Sequence, residues 1–374
     1  MKNFYSTALE NQKEKNLYRC LTPSDSKGST TIRRGKKNFI SFCCNDYLGL
    51  SQNAQVKKSA IAAIEKFGVG ARASRYVSGN NSLYEKVEKQ IAKMKNCEDA
   101  IVFTSGYATA IGAIPALVCE GDLIVADRLI HSSAIDGSKL SGARLMRFLH
   151  NDIDHAKKIL EENRKQFKKC LIITESVFSM DGDVGEISEL LKLAKKFDAI
   201  LLSDAAHDLF SSLPSRSWTA NHLQMGTFSK AVGALGGYVA GDKMLIDYLR
   251  NFAKSAIYST ALPPAIMAAA LVSLKIISKK NLGAKALKNA QYFCELMGRE
   301  KPQSAIVVLI VGENKKALEI AKKVAEKGML ISAIRPPTVE VGKARLRITF
   351  SSQHRKNQVK KLAEILNFEL KKIS

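Results

Sequence analysis

Six short apolar runs rich in β-branched residues, at 100–103, 123–126, 171–174, 200–203, 224–228 and 237–240, alternate with stretches of helical spacing, and nothing else constrains the chain as much. Strands buried on both faces read as near-continuous apolar runs, and parallel neighbours need a crossover of a dozen or more residues between them. The pattern predicts an α/β architecture with a mostly parallel central sheet covered on both faces. Between the runs, segment 82–96 places Leu83, Val87, Ile91 and Met94 on one helical face, with Ser82 and Glu85 forming a capping-box pattern at its start. Segments 153–167 and 187–197 share the helical period.

After about residue 242 the pattern changes to long helical stretches. Strand-like runs follow at 306–311, 330–334 and 346–350, with helices at 315–327 and at the end of the chain. That reads as a smaller α+β domain. The first 40 residues, with Pro23, Gly28 and Gly35 among charged clusters, read as an arm or a small β-element. The division expected is an N-terminal segment at 1–45, a large domain at 46–241, and linking helices with a C-terminal domain at 242–374.

At 374 residues and 46% hydrophobic, the chain can bury a large core. Its seven cysteines lack metal-ligand or disulfide-framework spacing, so a reducing, cytoplasmic setting is expected and no metal is. Residues 1–16 are interrupted by charge and lack the apolar centre of an export signal. The weakly polar stretch 261–274 contains Pro263 and Pro264 and ends at Lys275, short of the roughly 20 residues of a membrane span, so it reads as entry to a buried helix. The formal charge of +23 is dispersed in pairs such as Lys57/Lys58 and Lys195/Lys196, with no basic run interleaved with aromatics. A solvated lysine-rich surface is the reading preferred to nucleic-acid binding; a field that draws a polyanionic substrate or acidic carrier is the other.

Chemistry gathers at the carboxyl ends of the expected strands. Gly226-Thr227-Phe228-Ser229-Lys230 puts a lysine among small residues at a strand end, where burial lowers an amine's pKa and suits it to a Schiff base. Taken alone, the segment is equally a surface turn. Upstream, the run 200–203 leads into Asp204-Ala205-Ala206-His207; an aspartate there can pair with a protonated pyridine nitrogen, or serve only as a helix cap. Thr104-Ser105-Gly106-Tyr107 ends a strand and opens a helix, an arrangement whose backbone N–H groups bind phosphate. His131 follows the run 123–126 and could stack on an aromatic cofactor, although a histidine at such a turn is often structural. The case lies in the four features occurring in this order at one sheet edge.

These residues resemble the α-oxoamine synthases, fold-type-I pyridoxal 5′-phosphate enzymes, from about residue 17 to 370. The markers include Cys44-Asn45-Asp46-Tyr47-Leu48-Gly49, Ser74-Arg75-Tyr76-Val77-Ser78-Gly79, Glu175-Ser176-Val177-Phe178-Ser179-Met180-Asp181-Gly182-Asp183, Asp204 to His207, Thr227 to Lys230, Tyr258-Ser259-Thr260, and Arg335-Pro336-Pro337-Thr338 followed by Arg345-Leu346-Arg347. The resemblance implies that Lys230 carries the cofactor and moves the substrate's Cα proton. It further implies that Asp204 holds the ring nitrogen, His131 stacks on the ring, Ser179 and His207 meet its phenolic oxygen, and Gly106, Tyr107 and Thr227 contact the phosphate. Thr260 resembles a residue that reaches the phosphate of the neighbouring subunit's cofactor, which implies a homodimer. Arg19, Asn45, Ser74, Thr338 and Arg347 resemble substrate contacts, Arg347 as the clamp on the amino acid carboxylate.

The branch of the family most resembled condenses L-alanine with a pimeloyl thioester, on coenzyme A or acyl carrier protein, in biotin synthesis. Ser74 stands where glycine-using aminolevulinate synthases carry threonine, which leaves room for the alanine methyl. The alternatives are a glycine-using sibling, of the 2-amino-3-ketobutyrate ligase or aminolevulinate synthase type, and a non-catalytic partner subunit of the same fold. Ala205 and Asp208-Leu209-Phe210 depart from the family's pattern, and the segment from His207 to Lys230 is short, which bears on acyl-chain entry.

Overall fold

A computed structural model describes residues 2–210 and 219–372, leaving aside the side chain of Lys2. It divides into two compact units: Leu50–Ser179 with Asp183–Leu282, and Met1–Gly49 with Met180–Gly182 and Gly283–Ser374.

The larger unit is built on seven strands, numbered here in chain order: β1 (Asp99–Phe103), β2 (Leu123–Asp127), β3 (Arg144–Phe148), β4 (Cys170–Glu175), β5 (Ile200–Asp204), β6 (His222–Thr227) and β7 (Gly237–Gly241). Their order across the sheet is β1-β7-β6-β5-β4-β2-β3. All the pairings are parallel except those of β7, which runs antiparallel to both β1 and β6. The mostly parallel sheet expected from the apolar runs is what forms.

Alternation along the strands divides the core in two. Ile124, Ala126, Leu171, Ile173 and Leu202 pack with Ala110, Ala113 and Ile114 of the helix Gly106–Leu117. Leu123, Val125, Cys170, Ile172 and Leu201 face the other way, onto Leu160 of the helix Ile153–Asn163 and Leu190 of Ile187–Lys196. Side chains two residues apart share a face, so each buried strand supplies both layers.

Two local expectations are corrected. Ser82 does not cap the helix Leu83–Lys95; the Asn81 side chain accepts the Leu83 N–H instead, at 3.0 Å. The amphipathic segment from 153 is helical only to Asn163 and then tightens into a short 3₁₀ turn, Arg164–Gln166, whose arginine donates to the carbonyls of Phe167 and Phe197.

In the smaller unit the strands Ile306–Gly312, Ala344–Thr349 and Ser332–Ile334 form an antiparallel sheet. A second sheet joins Asp25–Ser26, Thr31–Arg34 and Lys37–Ser41 to Met329–Leu330, the last pair parallel. The N-terminal segment thus carries both an exposed helix, Lys2–Glu14, and the small β-element its glycines suggested. Arg345 anchors the inserted residues by donating to Met180 O at 3.1 Å and to the Asp181 carboxylate.

Candidate active site

The carboxyl ends of the parallel strands converge on a cavity of about 280 Å³. Gly106, Tyr107, His131, Asp204, His207, Thr227 and Lys230 line it, together with Ser105, Ser133, Glu175 and Ser229. Seven of the residues singled out in the sequence therefore share one space, as ligand sites at the carboxyl edge of open α/β sheets do.

Lys230 lies three residues beyond the end of β6 and is half-buried, rather than at the buried strand end expected. Its Nζ is 2.8 Å from His207 Nε2. Asp204 ends β5, is 8% exposed, and accepts the Ala206 N–H at 2.9 Å. Burial pushes its carboxyl up from the usual value, and the Lys230 charge is the first influence holding it down.

His131 caps the helix Ser132–Ser141. Its Nδ1 accepts from the Ser133 N–H at 3.3 Å and lies 2.8 Å from Ser133 Oγ, which fixes Nδ1 as the unprotonated nitrogen. Burial lowers the ring's pKa, so His131 presents a neutral, flat face.

The helix Gly106–Leu117 begins at the cavity wall. Ser105 Oγ accepts the Ala108 N–H at 3.0 Å, and the N–H groups at the start of a helix have no intrahelical acceptor. A Cβ on Gly106 would come within 3.1 Å of Thr227 Cβ, so the turn sits close against that side chain. Thr227 Oγ1 donates to Gly236 O at 2.8 Å and accepts from the Ser229 N–H at 3.2 Å.

Glu175 lines the cavity without having been singled out as a site residue. It ends β4 in register with Asp204, is 3% exposed, and accepts the Ser179 N–H through Oε2 at 3.3 Å. Burial first, and then the Asp204 charge, raise its carboxyl well above the ordinary range. Its place at the end of an apolar run and at the head of the Glu175–Asp183 marker could have pointed to it. Ser179 is not a lining residue, but that backbone bond ties its turn to Glu175.

Ser74 and Thr260 meet in an isolated antiparallel bridge and do not line the cavity. In the smaller unit Arg347, 5% exposed, donates to Asn45 Oδ1 and Tyr47 OH, each at 3.3 Å, and Arg19 donates to Thr338 Oγ1 at 3.4 Å. The unusual Asp208 has a buried partner: Lys95 Nζ donates to it at 2.8 Å, with the two side chains 6% and 9% exposed, and the ammonium lies 4.6 Å from the Phe210 ring centroid. The rest of the short segment leading toward Lys230 includes 211–218, outside the described residues.

The class I and II aminotransferase family matches residues 37–366. An 8-amino-7-oxononanoate synthase of Methylobacterium nodulans is 42% identical over 352 residues, covering 94% of this chain and 92% of its own length. One of Methylocella silvestris is 43% identical over 340 residues, covering 89% and 97%. The chain belongs to the 8-amino-7-oxononanoate synthase family. A solved serine palmitoyltransferase of Sphingomonas wittichii superposes with a TM-score of 0.90 at 25% identity, over 99% of this chain and 98% of that one. As a family member the chain is a transferase that depends on pyridoxal 5′-phosphate.

The residues present fit that group. The helix opens at Gly106 on the cavity wall, where its first N–H groups suit an anion, Asp204 is a buried carboxyl that a protonated ring nitrogen would balance, His131 offers an uncharged ring, and Lys230 would supply the amine.

Proposed function

We propose that the chain condenses L-alanine with a pimeloyl thioester, carried by coenzyme A or acyl carrier protein, to give 8-amino-7-oxononanoate, carbon dioxide and the free thiol, a step of biotin synthesis. The observation that carries this reading is the meeting of Lys230, His207, Asp204 and His131 at one cavity in a chain about 42% identical to synthases of that name.

Bound pyridoxal phosphate supplies an electron sink for the bond broken at the amino acid's α-carbon. Gly106, Tyr107 and Thr227 would hold its phosphate, Asp204 its ring nitrogen, and Ser179 and His207 its phenolic oxygen. Lys230 would hold the cofactor through its amine and, as a free amine, would take the Cα proton of alanine; the Cα carbon then bonds to the acyl carbonyl as the thiolate leaves. Loss of the carboxylate as carbon dioxide leaves Cα to be reprotonated, a transfer also assigned to Lys230. His207, 2.8 Å from Nζ, orients the amine for both transfers. By their resemblance, Arg347 holds the alanine carboxylate, and Arg19, Asn45, Ser74 and Thr338 serve the substrates.

The chain acts as a homodimer in this reading, with Thr260 completing the site of the neighbouring subunit. Thr260, two residues after the exposed Tyr258, is exposed, bridges Ser74 and lies outside its own chain's cavity lining, which supports that arrangement.

Thiol release measured with alanine, glycine and serine against pimeloyl-CoA, pimeloyl carrier protein and shorter acyl thioesters tests the substrates. Alanine with a pimeloyl donor is expected to turn over fastest. A missing methyl is worth only about 1–3 kcal/mol, so glycine should follow at roughly 10-fold to 200-fold lower efficiency. Release with glycine alone would overturn the assignment in favour of a sibling activity.

A further inference from the structure

His150 lies two residues beyond β3, and both of its ring nitrogens meet carboxylates. Nδ1 is 3.1 Å from both oxygens of Asp127, which is fully buried at the end of β2, and Nε2 is 2.7 Å from Asp183 Oδ2. A carboxylate oxygen only accepts, so each nitrogen carries a hydrogen and the ring is an imidazolium. The flanking charges raise its pKa to about 10 against the cost of burial.

Each carboxylate also organises its own turn. Asp127 accepts the Leu129 N–H at 2.8 Å, at the start of the turn that delivers His131, and the Asn151 N–H at 2.8 Å. Asp183 closes the turn that contains Ser179: Phe178 N donates to Asp183 O at 3.0 Å, Val177 bridges Val184, and Gly185 N donates to Ser176 O at 3.2 Å. Asn151 Nδ2 adds bonds to Asp183 Oδ2 at 3.0 Å and Val184 O at 3.1 Å, and the Phe178 ring meets His150 edge-on at 4.4 Å.

We propose that His150 is a positioning residue whose bridge between Asp127 and Asp183 fixes the Ser179 turn against the strand end that carries His131, and so sets the two side chains offered to the cofactor ring. The proposal rests on the cofactor roles given above to Ser179 and His131. Hydrophobic packing alone would hold these turns together; a charge with two directed bonds fixes their register as well.

The test uses His150→Gln, which roughly keeps the size and leaves a donor for one carboxylate only, removing the charge and the second directed bond, in the pyridoxal-phosphate-loaded enzyme. The pH titration of the bound cofactor's visible absorption and circular dichroism is expected to shift, and kcat for alanine to fall about tenfold with KM changed far less, because misplacement near the chemistry costs rate. A folded variant with lowered thermal stability but an unmoved titration and unchanged kcat would overturn the proposal. If His150→Gln does not fold, Asp183→Asn at the more exposed end of the bridge is judged by the same criterion. Ser179→Ala separates two failures: no shift there overturns the role of Ser179 and the proposal with it, whereas a shift there without one in His150→Gln overturns the bridge alone.

Discussion

His354 is held as a neutral ring by geometry: Nδ1 accepts the Ser351 N–H at 2.9 Å, and Nε2 donates to Ser41 O at 2.9 Å. It stacks on Phe42 with centroids 4.0 Å apart, and burial brings its pKa down to about 4 from 6.5. Protonation would break the bond to Ser351. Between these two values the unfolded chain binds the proton and the folded chain does not, so the contribution to stability is complete above 6.5 and is lost as pH falls toward 4. The urea midpoint of the parent should therefore fall more between pH 7 and pH 5 than that of a His354→Gln variant, whose side chain does not titrate. Equal falls in the two proteins would show that His354 contributes nothing to the acid limb.

At the scale of elements, the turn between β1 and the helix Gly106–Leu117 is set by a neighbouring strand. A Cβ on Gly237 of β7 would lie 2.2 Å from Thr109 Oγ1 and 2.6 Å from Ser105 O, so the strand backbone packs directly beneath the helix start. Overpacking of this kind costs about 1–3 kcal/mol, relieved here by displacing the turn. Gly237→Ala is expected to weaken pyridoxal phosphate binding about tenfold, read from an absorbance titration; unchanged affinity would mean that the turn does not hold the phosphate. The sheet was legible in the sequence because strands buried on both faces spell long apolar runs. Edge strand β3 was not, since Arg144 and Arg147 are exposed and break the run. Ser82 misled because Asn81, one residue earlier, captures the first N–H. Asp204 at the end of β5, and His207 and Lys230 each three residues beyond a strand, announced themselves through order and residue type. Glu175 reads as the tail of an apolar strand, and the Asp127–His150–Asp183 bridge joins residues 23 and 33 apart whose pairing leaves no local pattern. Asp208, a departure from the family's pattern in the sequence, acquires its meaning only from Lys95, 113 residues away.

At the scale of the whole molecule, the smaller unit joins residues some 300 apart, as in the bond of Thr349 Oγ1 to Cys44 O at 2.8 Å, which no window of sequence reveals. Thr260 raises the matching question between chains, since it sits outside its own cavity lining while Lys230 sits within it. A symmetric pair of subunits trades such residues reciprocally, each chain completing the other's site. Lys230→Ala removes the amine from its own site, and in the proposed dimer Thr260→Glu would set a negative charge against the phosphate of the neighbouring site. Each variant alone should be nearly inactive. In a co-expressed mixture, half the molecules pair one chain of each kind, and in those one site has both Lys230 and the native Thr260 of the partner subunit. Activity should recover to about a quarter of the parent's, the fraction of sites left intact by random symmetric pairing. Were Thr260 to act within its own chain, or the chain to act as a monomer, no site in the mixture would be whole, and the mixture would show only the average of the two variants.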